Sequence, residues 1–359
     1  MGVVLSGLSG DGGDPRAVAE ALPGALDSGD PILITTSGSS GVPKTVVLGA
    51  AALRASASAT AARIGEGSWL LALPAAYVAG LQVLVRAHLA RTRPAYLDGP
   101  FTPDAFVDAV RELPMSARYT SLVPAQLATL VAAAESDPPT RDALRSFEAI
   151  LIGGQALPVP LRERAESLGA RIVRTYGSTE TSGGCVYDGV PLDGVDVRSV
   201  DGELLIAGPT LADGYLDDAE LTARMFPVGT DGVRRYRTGD AGTVADGIVR
   251  VTGRRDNVIV SGGVNVSLDR VEAVVRGVPG LEHAVVVGVE DERWGEASVI
   301  VVEPPGSADD TALLATARAA VADAIGAPAR PSRLVPRHVP LLPSGKPDRA
   351  AVRRGLARE

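Results

Sequence analysis

Between residues 31 and 176, short apolar runs alternate with longer helical stretches. The runs at 32–35, 69–73, 119–123, 149–152 and 171–176 predict strands, and the stretches at 50–64, 79–90, 124–134 and 158–168 predict helices. Strands spaced by helices read as βα units around a largely parallel sheet. After Gly177 the texture changes, and 202–208, 234–236 and 247–253 predict short strands separated by Gly and Asp, a small β-rich subdomain. A composition break falls at 254–257. Beyond it, 268–275, 284–289, 299–302 and 311–325 predict a small α+β unit, with a Pro- and Arg-rich loop at 328–343. The expectation is an α/β protein with a large N-terminal domain over 1–255 and a small C-terminal domain over 256–359.

The chain of 359 residues is long enough for two domains and a substantial core. Its net charge of −8 argues against nucleic acid as a partner. No apolar run approaches a membrane span, and the start lacks a charged region followed by an apolar block, so a cytoplasmic protein is expected. A single cysteine, Cys185, excludes an internal disulfide and a Cys-based zinc cluster, and His88, His283 and His338 are scattered. A homodimer is left open. Of the 35 basic residues, 33 are arginine, which leaves Lys44 and Lys346 as the only lysines. Both are expected in small-residue loops, where a compact ammonium reaches a phosphate more easily than a guanidinium does.

Thr36, Ser37, Gly38, Ser39, Ser40, Gly41, Val42, Pro43 and Lys44 follow a predicted strand. Glycines let the backbone curl so that its N–H groups converge, hydroxyls add donors, and the lysine adds charge, which suits a polyphosphate. A flexible Ser/Gly linker is the plain alternative. A Walker A loop needs Gly directly before its Lys, and Pro43 stands there instead, which disfavours an ordinary P-loop kinase or NTPase. The arrangement resembles the phosphate loop of the AMP-forming acyl-CoA synthetase superfamily, which includes luciferases and peptide-synthetase adenylation domains. Further matches follow in order: 73–80 resembles the acyl-pocket segment, and 153–157 and 175–180 resemble the adenine and magnesium segments. The segments 202–205, 214–215, 236–240, 253–256, 261–263 and 343–346 complete the series.

The resemblance implies roles. Thr36 to Gly41 and Lys44 would hold the β- and γ-phosphates of ATP. Tyr176, between Thr175 and Gly177, would offer its ring to adenine, whose edge the backbone of Gly153, Gly154 and Gln155 would read. Glu180 would hold Mg²⁺ on phosphate oxygens, and Thr179 would donate to the α-phosphate. Asp240 is suited to accept both ribose hydroxyls, with Arg254 as a second ribose or phosphate contact. Asp256 would mark the hinge of a mobile C-terminal lid. Lys346 would bridge the carboxylate nucleophile and the α-phosphate during adenylation, and Gly262 and Gly263 would line a pantetheine channel for coenzyme A. Core packing for Tyr176, a turn for Asp240 and a solvated loop for Asp256 are the alternatives.

The carboxylate is narrowed by further signals. Residues 73–86 contain no acid to pair with a substrate ammonium, no carrier domain is expected after Lys346, and the phosphate loop comes early in the chain. These features and the run 181–187 resemble actinobacterial o-succinylbenzoate–CoA ligases of menaquinone biosynthesis. That resemblance implies an acyl pocket with Tyr77, Val78, Gly80 and Ser182, and Arg86 facing the second carboxylate of the substrate. Tyr77 stands where the family often has His. An exposed helix arginine is the alternative for Arg86. Another aryl- or medium-chain acyl-CoA ligase, or a non-catalytic adenylate-binding protein, are the other functions to weigh.

Overall fold

The computed structural model describes residues 3–6, 14–36, 43–114, 116–304, 310–342 and 347–356. Its central sheet has seven strands in the order Val190–Pro191, Gly183–Tyr187, Ile172–Ser178, Ala149–Ile152, Arg118–Leu122, Ser68–Leu71, Ala95–Tyr96. The five strands from Ile172–Ser178 to Ala95–Tyr96 pair in parallel, and the other two add antiparallel at one edge. Strands Ser68–Leu71, Arg118–Leu122 and Ala149–Ile152 are buried at every position, as a sheet covered on both faces requires. Alternation divides their side chains. Trp69, Leu71, Tyr119 and Leu151 pack with helices Ala50–Ile64 and Val78–Leu89, while Leu70, Leu122, Ile150 and Ile152 face Phe106, Leu127, Leu144 and Leu161 on the helices of the other side.

The strand expected at 32–35 does not join this sheet. Ile32–Thr36 belongs to a separate four-stranded sheet with Val3–Ser6, Lys44–Leu48 and Gly214–Tyr215, and it pairs antiparallel with Lys44–Leu48. Residues 37–43 are too few for a crossover and suffice for a hairpin. Lys44 therefore opens a strand opposite Thr36 rather than lying within a loop.

Strands Asp196–Val200, Glu203–Ala207, Tyr236–Ala245 and Ile248–Arg254 form the antiparallel β-rich part. The C-terminal sheet contains Val264–Ser267, Val258–Ser261, Gly295–Val302 and Val285–Asp291, packed through Leu268, Val271, Ile300 and Val321 into a core of its own. The expected loop at 328–343 contains a strand, Arg333–Pro336, which pairs in parallel with Gly295–Val302. At the junction, Asp269 accepts from the Arg254 backbone N–H at 2.6 Å and from Asn257 Nδ2 at 2.8 Å. The close approach leaves no room for a Cβ at Gly253, which would lie 2.8 Å from Ser267 Oγ.

Candidate functional site

The end of strand Ile172–Ser178 and the antiparallel strands Tyr236–Ala245 and Ile248–Arg254 meet at one small cleft, lined by Tyr176, Gly177, Thr238, Asp240 and Arg254. Tyr176 lies near the end of strand Ile172–Ser178, which bends there, because the register shifts between Tyr176 and Gly177. Gly177 is required there: a Cβ would sit 2.1 Å from the Gly183 carbonyl oxygen. The Tyr176 hydroxyl donates to Asp240 Oδ2 at 2.6 Å, and Arg254 Nη1 donates to Asp240 Oδ1 at 3.2 Å and to the Thr238 carbonyl at 3.0 Å. Burial lifts the Asp240 carboxyl above its ordinary range, against the opposing pull of Tyr176 and Arg254. Burial, reinforced by Asp240, likewise raises Tyr176. Arg254 Nε and Nη2 each reach an oxygen of Asp256 at 3.0 Å, so one guanidinium spans both carboxylates.

Glu180 lies in the one-turn helix Thr179–Thr181 that follows this strand. Its Oε1 accepts from the Tyr215 hydroxyl at 2.9 Å, and its carbonyl accepts from Ala212 N at 2.8 Å. Lys44 Nζ is 5.9 Å from the Tyr215 ring centre, which brings the strand-opening lysine to the same side. Among the described residues no three or more His, Cys, Asp or Glu side chains gather as a metal site. The single carboxylate of Glu180 fits Mg²⁺ only as an ion shared with substrate phosphates, the usual arrangement for that cation. Gly153 packs its bare Cα against Thr175, where a Cβ would come within 2.5 Å of Oγ1, and Gly154 has φ of 81°. The 153–155 turn thus sits beside Tyr176.

Of the residues expected in the acyl pocket, Val78, Gly80 and Arg86 lie on helix Val78–Leu89, Tyr77 at its start, and Ser182 in the turn after Thr179–Thr181. Tyr77 caps Val78–Leu89, and Gly80 is explained by packing, since a Cβ there would be 2.2 Å from the Pro74 carbonyl oxygen. Ser182 is buried at φ of 52°, its carbonyl accepting from Ser56 Oγ at 3.0 Å and Gln82 Nε2 at 2.8 Å. Among the described residues, Ser182 Oγ and Gln82 Oε1 are buried without partners, polar atoms left over beside the helix. Arg86 is not an exposed helix arginine: it is 7% exposed and borders a second, small cavity of about 40 Å³ between Ala50–Ile64 and Val78–Leu89. Gly262 and Gly263, with φ of 57° and 78°, make the two-residue turn joining Val258–Ser261 to Val264–Ser267 on the C-terminal sheet.

The structure therefore brings Tyr176, Gly177, Asp240 and Arg254 into one cleft, with Glu180 and Lys44 linked through Tyr215. Arg86 borders a different cavity, and the Gly262–Gly263 turn stands on the C-terminal sheet. Ser37 to Gly41 and Lys346 lie outside the described residues. Tyr215 and Asp269 were missed as site residues. Tyr215 belongs to the 214–215 segment of the ordered motifs, but only strand pairing of Gly214–Tyr215 with Lys44–Leu48 brings it near Lys44.

Residues 11–216 match the AMP-binding enzyme family, and residues 270–346 match the AMP-binding enzyme C-terminal domain. The chain is 41% identical over 366 aligned residues to a probable 2-succinylbenzoate–CoA ligase of Mycobacterium tuberculosis, covering 97% of this chain and 93% of that protein. The structure resembles an Escherichia coli MenE variant with bound OSB-AMS, at a TM-score of 0.74 and 28% identity, over 91% of this chain and 69% of that one. It also resembles the Bacillus subtilis o-succinylbenzoate CoA synthetase (MenE) in complex with the acyl-adenylate intermediate OSB-AMP, at a TM-score of 0.74 and 25% identity, over 89% of this chain and 68% of that one.

Proposed function

We infer the activity from a premise that these matches establish: the chain belongs to the AMP-binding enzyme family. The protein is an ATP-dependent, AMP-forming carboxylate–CoA ligase that converts o-succinylbenzoate to its CoA thioester. One observation carries the nucleotide half of this reading. A tyrosine, a half-buried carboxylate and a guanidinium line one cleft, with the Glu180–Tyr215–Lys44 group on the turn that follows. The likeness to a probable 2-succinylbenzoate–CoA ligase over almost the whole chain supports the substrate.

In the first half-reaction a carboxylate oxygen of the acid attacks the α-phosphorus of ATP in line, and pyrophosphate leaves with the bond that breaks. Asp240 accepts the ribose hydroxyls, and its Tyr176 and Arg254 partners hold the carboxylate in place as it does so. Glu180 and Lys44 face the phosphates, and Mg²⁺, when bound, supplies charge neutralisation on their oxygens. Thr179 donates to the α-phosphate, and Lys346 stabilises the charge that develops on it without acting as a base. The C-terminal part, 256–359, then turns about Asp256, and the Gly262–Gly263 turn approaches the pantetheine. In the second half-reaction the thiolate sulfur attacks the acyl carbon, the mixed anhydride bond breaks, and AMP leaves. Tyr77, Val78 and Ser182 border the acyl group, and Arg86 meets its second carboxylate. The enzyme works in the cytoplasm.

The test is carboxylate-dependent pyrophosphate exchange together with product analysis. AMP and pyrophosphate, with o-succinylbenzoate preferred over benzoate-type monoacids, are expected. ADP and phosphate would overturn adenylation. Good turnover of a plain aryl acid alongside inactivity towards o-succinylbenzoate would overturn the substrate and leave the ligase class standing.

A further inference from the structure

The buried arginines differ in what holds them. Arg235 faces Asp231 at 2.6 Å and Arg276 faces Glu272 at 3.0 Å, while Arg118 donates to the backbone carbonyls of Leu113 and Pro114. Arg86 has neither kind of partner. Its Nη2 donates to the Tyr187 hydroxyl at 3.3 Å, its guanidinium carbon lies 5.0 Å from the Trp69 ring centre, and its Nε is buried with no partner among the described residues. No carboxylate pairs with it among the described residues, although Glu66 borders the same cavity.

Counting protons fixes the direction of the bonds around Tyr187. Thr60 Oγ1 uses its one proton on the Ser56 carbonyl at 2.9 Å, so the 2.9 Å contact between Thr60 Oγ1 and Tyr187 Oη is a donation from the tyrosine. The Tyr187 oxygen is left with lone pairs only, which suits it to accept from a cation. The path runs on through Ser56 Oγ to the Ser182 carbonyl, in the turn that follows Glu180. A neutral acceptor and an aromatic face position a guanidinium without cancelling its charge, whereas a carboxylate in the same place would cancel it.

We propose that Tyr187 is a positioning residue for substrate selection: its hydroxyl holds the Arg86 guanidinium against Trp69, uncancelled, where the second carboxylate of a dicarboxylic acid meets it. This rests on the assignment of Arg86 to that carboxylate. Preorganisation is the source of the effect, because a guanidinium freed from Tyr187 must be reordered each time substrate binds.

The test is a double-mutant cycle of Tyr187→Phe and Arg86→Leu. KM and kcat are read separately for o-succinylbenzoate, a benzoate-type monoacid and ATP. Tyr187→Phe is expected to raise the o-succinylbenzoate KM about five- to tenfold, with kcat, the ATP KM and the monoacid KM within about twofold. In the Arg86→Leu background the same change should have almost no further effect on the diacid. Thr60→Val, which removes the acceptor of the Tyr187 proton, should shift the diacid KM in the same direction by less, and serves if Tyr187→Phe does not fold. If Arg86→Leu weakens monoacid and diacid alike, the Arg86 assignment is overturned and this proposal with it. If Arg86→Leu is selective for the diacid but Tyr187→Phe adds fully to it, or changes all three KM values together, the positioning role alone is overturned.

Discussion

The cleft at Tyr176 and the cavity between the two helices manage charge in opposite ways. In the cleft, Asp240 is met by Tyr176 and Arg254, Arg254 by Asp256, and Glu180 by Tyr215. In the cavity, Arg86 is met by an aromatic face and a hydroxyl oxygen. In a site of the first kind a ligand adds its hydrogen bonds to groups that are already partnered, and the net gain from each is modest. A site of the second kind contains a desolvated charge that burial disfavours, as the lowering of the Arg86 pKa by desolvation shows. Such a charge rewards a ligand that brings its opposite and discriminates sharply against one that does not. On the proposed function, the cleft serves the nucleotide and the cavity one kind of acid.

The contrast can be broken or sharpened by four measurements. The largest effect is expected from Lys346→Ala, which should lower acyl-AMP formation about a hundred- to thousandfold. Thioester formation from supplied acyl-AMP should largely survive, and equal loss of both half-reactions in single-turnover assays would contradict an exchange of lids. Next is Arg86→Leu, expected to lower kcat/KM for o-succinylbenzoate about ten- to a hundredfold and to leave monoacids nearly unchanged. Equal losses for both acids would make the cavity arginine structural and erase the contrast.

Asp240→Asn tests the cleft side and should raise the KM for ATP about tenfold. The sign of its pH dependence follows from burial. The Asp240 carboxyl is raised, so on acidification it protonates before an ordinary aspartate does and loses acceptor capacity for the ribose. The ATP KM of the parent protein should therefore climb as pH falls towards the carboxylate range, and the variant should show a flatter acid limb in steady-state profiles. Tyr215→Phe should have the smallest effect, about threefold to tenfold in ATP KM. A larger loss would mean that Tyr215 does more than steady Glu180.

Local pattern revealed those elements whose faces are set by their own residues. The strand Ala149–Ile152 and the helices Ala50–Ile64 and Pro124–Ala134 lie where periodicity and bounding residues put them. Pairing was harder to read. Whether the apolar run at 32–36 joins a parallel sheet or folds back on Lys44–Leu48 depends on a partner strand hidden by the Pro43 that precedes it. Arg333–Pro336 was missed because it alternates poorly, is only half-buried and ends in proline, yet it finds Gly295–Val302 across the C-terminal sheet. The same limit applies to the site. Glycines and acids in ordered motifs marked the cleft, whereas the burial of Arg86, its contact with Tyr187 and the clasp of Asp269 on the Arg254 backbone exist only once distant segments meet.

Arg254 turns the junction into an instrument of thermodynamic linkage. Its planar set of donors is divided between Asp240, which faces the nucleotide cleft, and Asp256, which lies on the connection to the C-terminal sheet. A ribose that draws on Asp240 changes what Arg254 has left for Asp256, and a connection that swings Asp256 away changes what Asp240 can offer the ribose. Free energies of this kind are reciprocal, so the two influences must be equal in size. Asp256→Ala should then alter ATP affinity without touching the nucleotide, and ATP should alter the rate at which a protease cuts the connection at 254–257. If neither shift appears, Arg254 does not couple the two carboxylates.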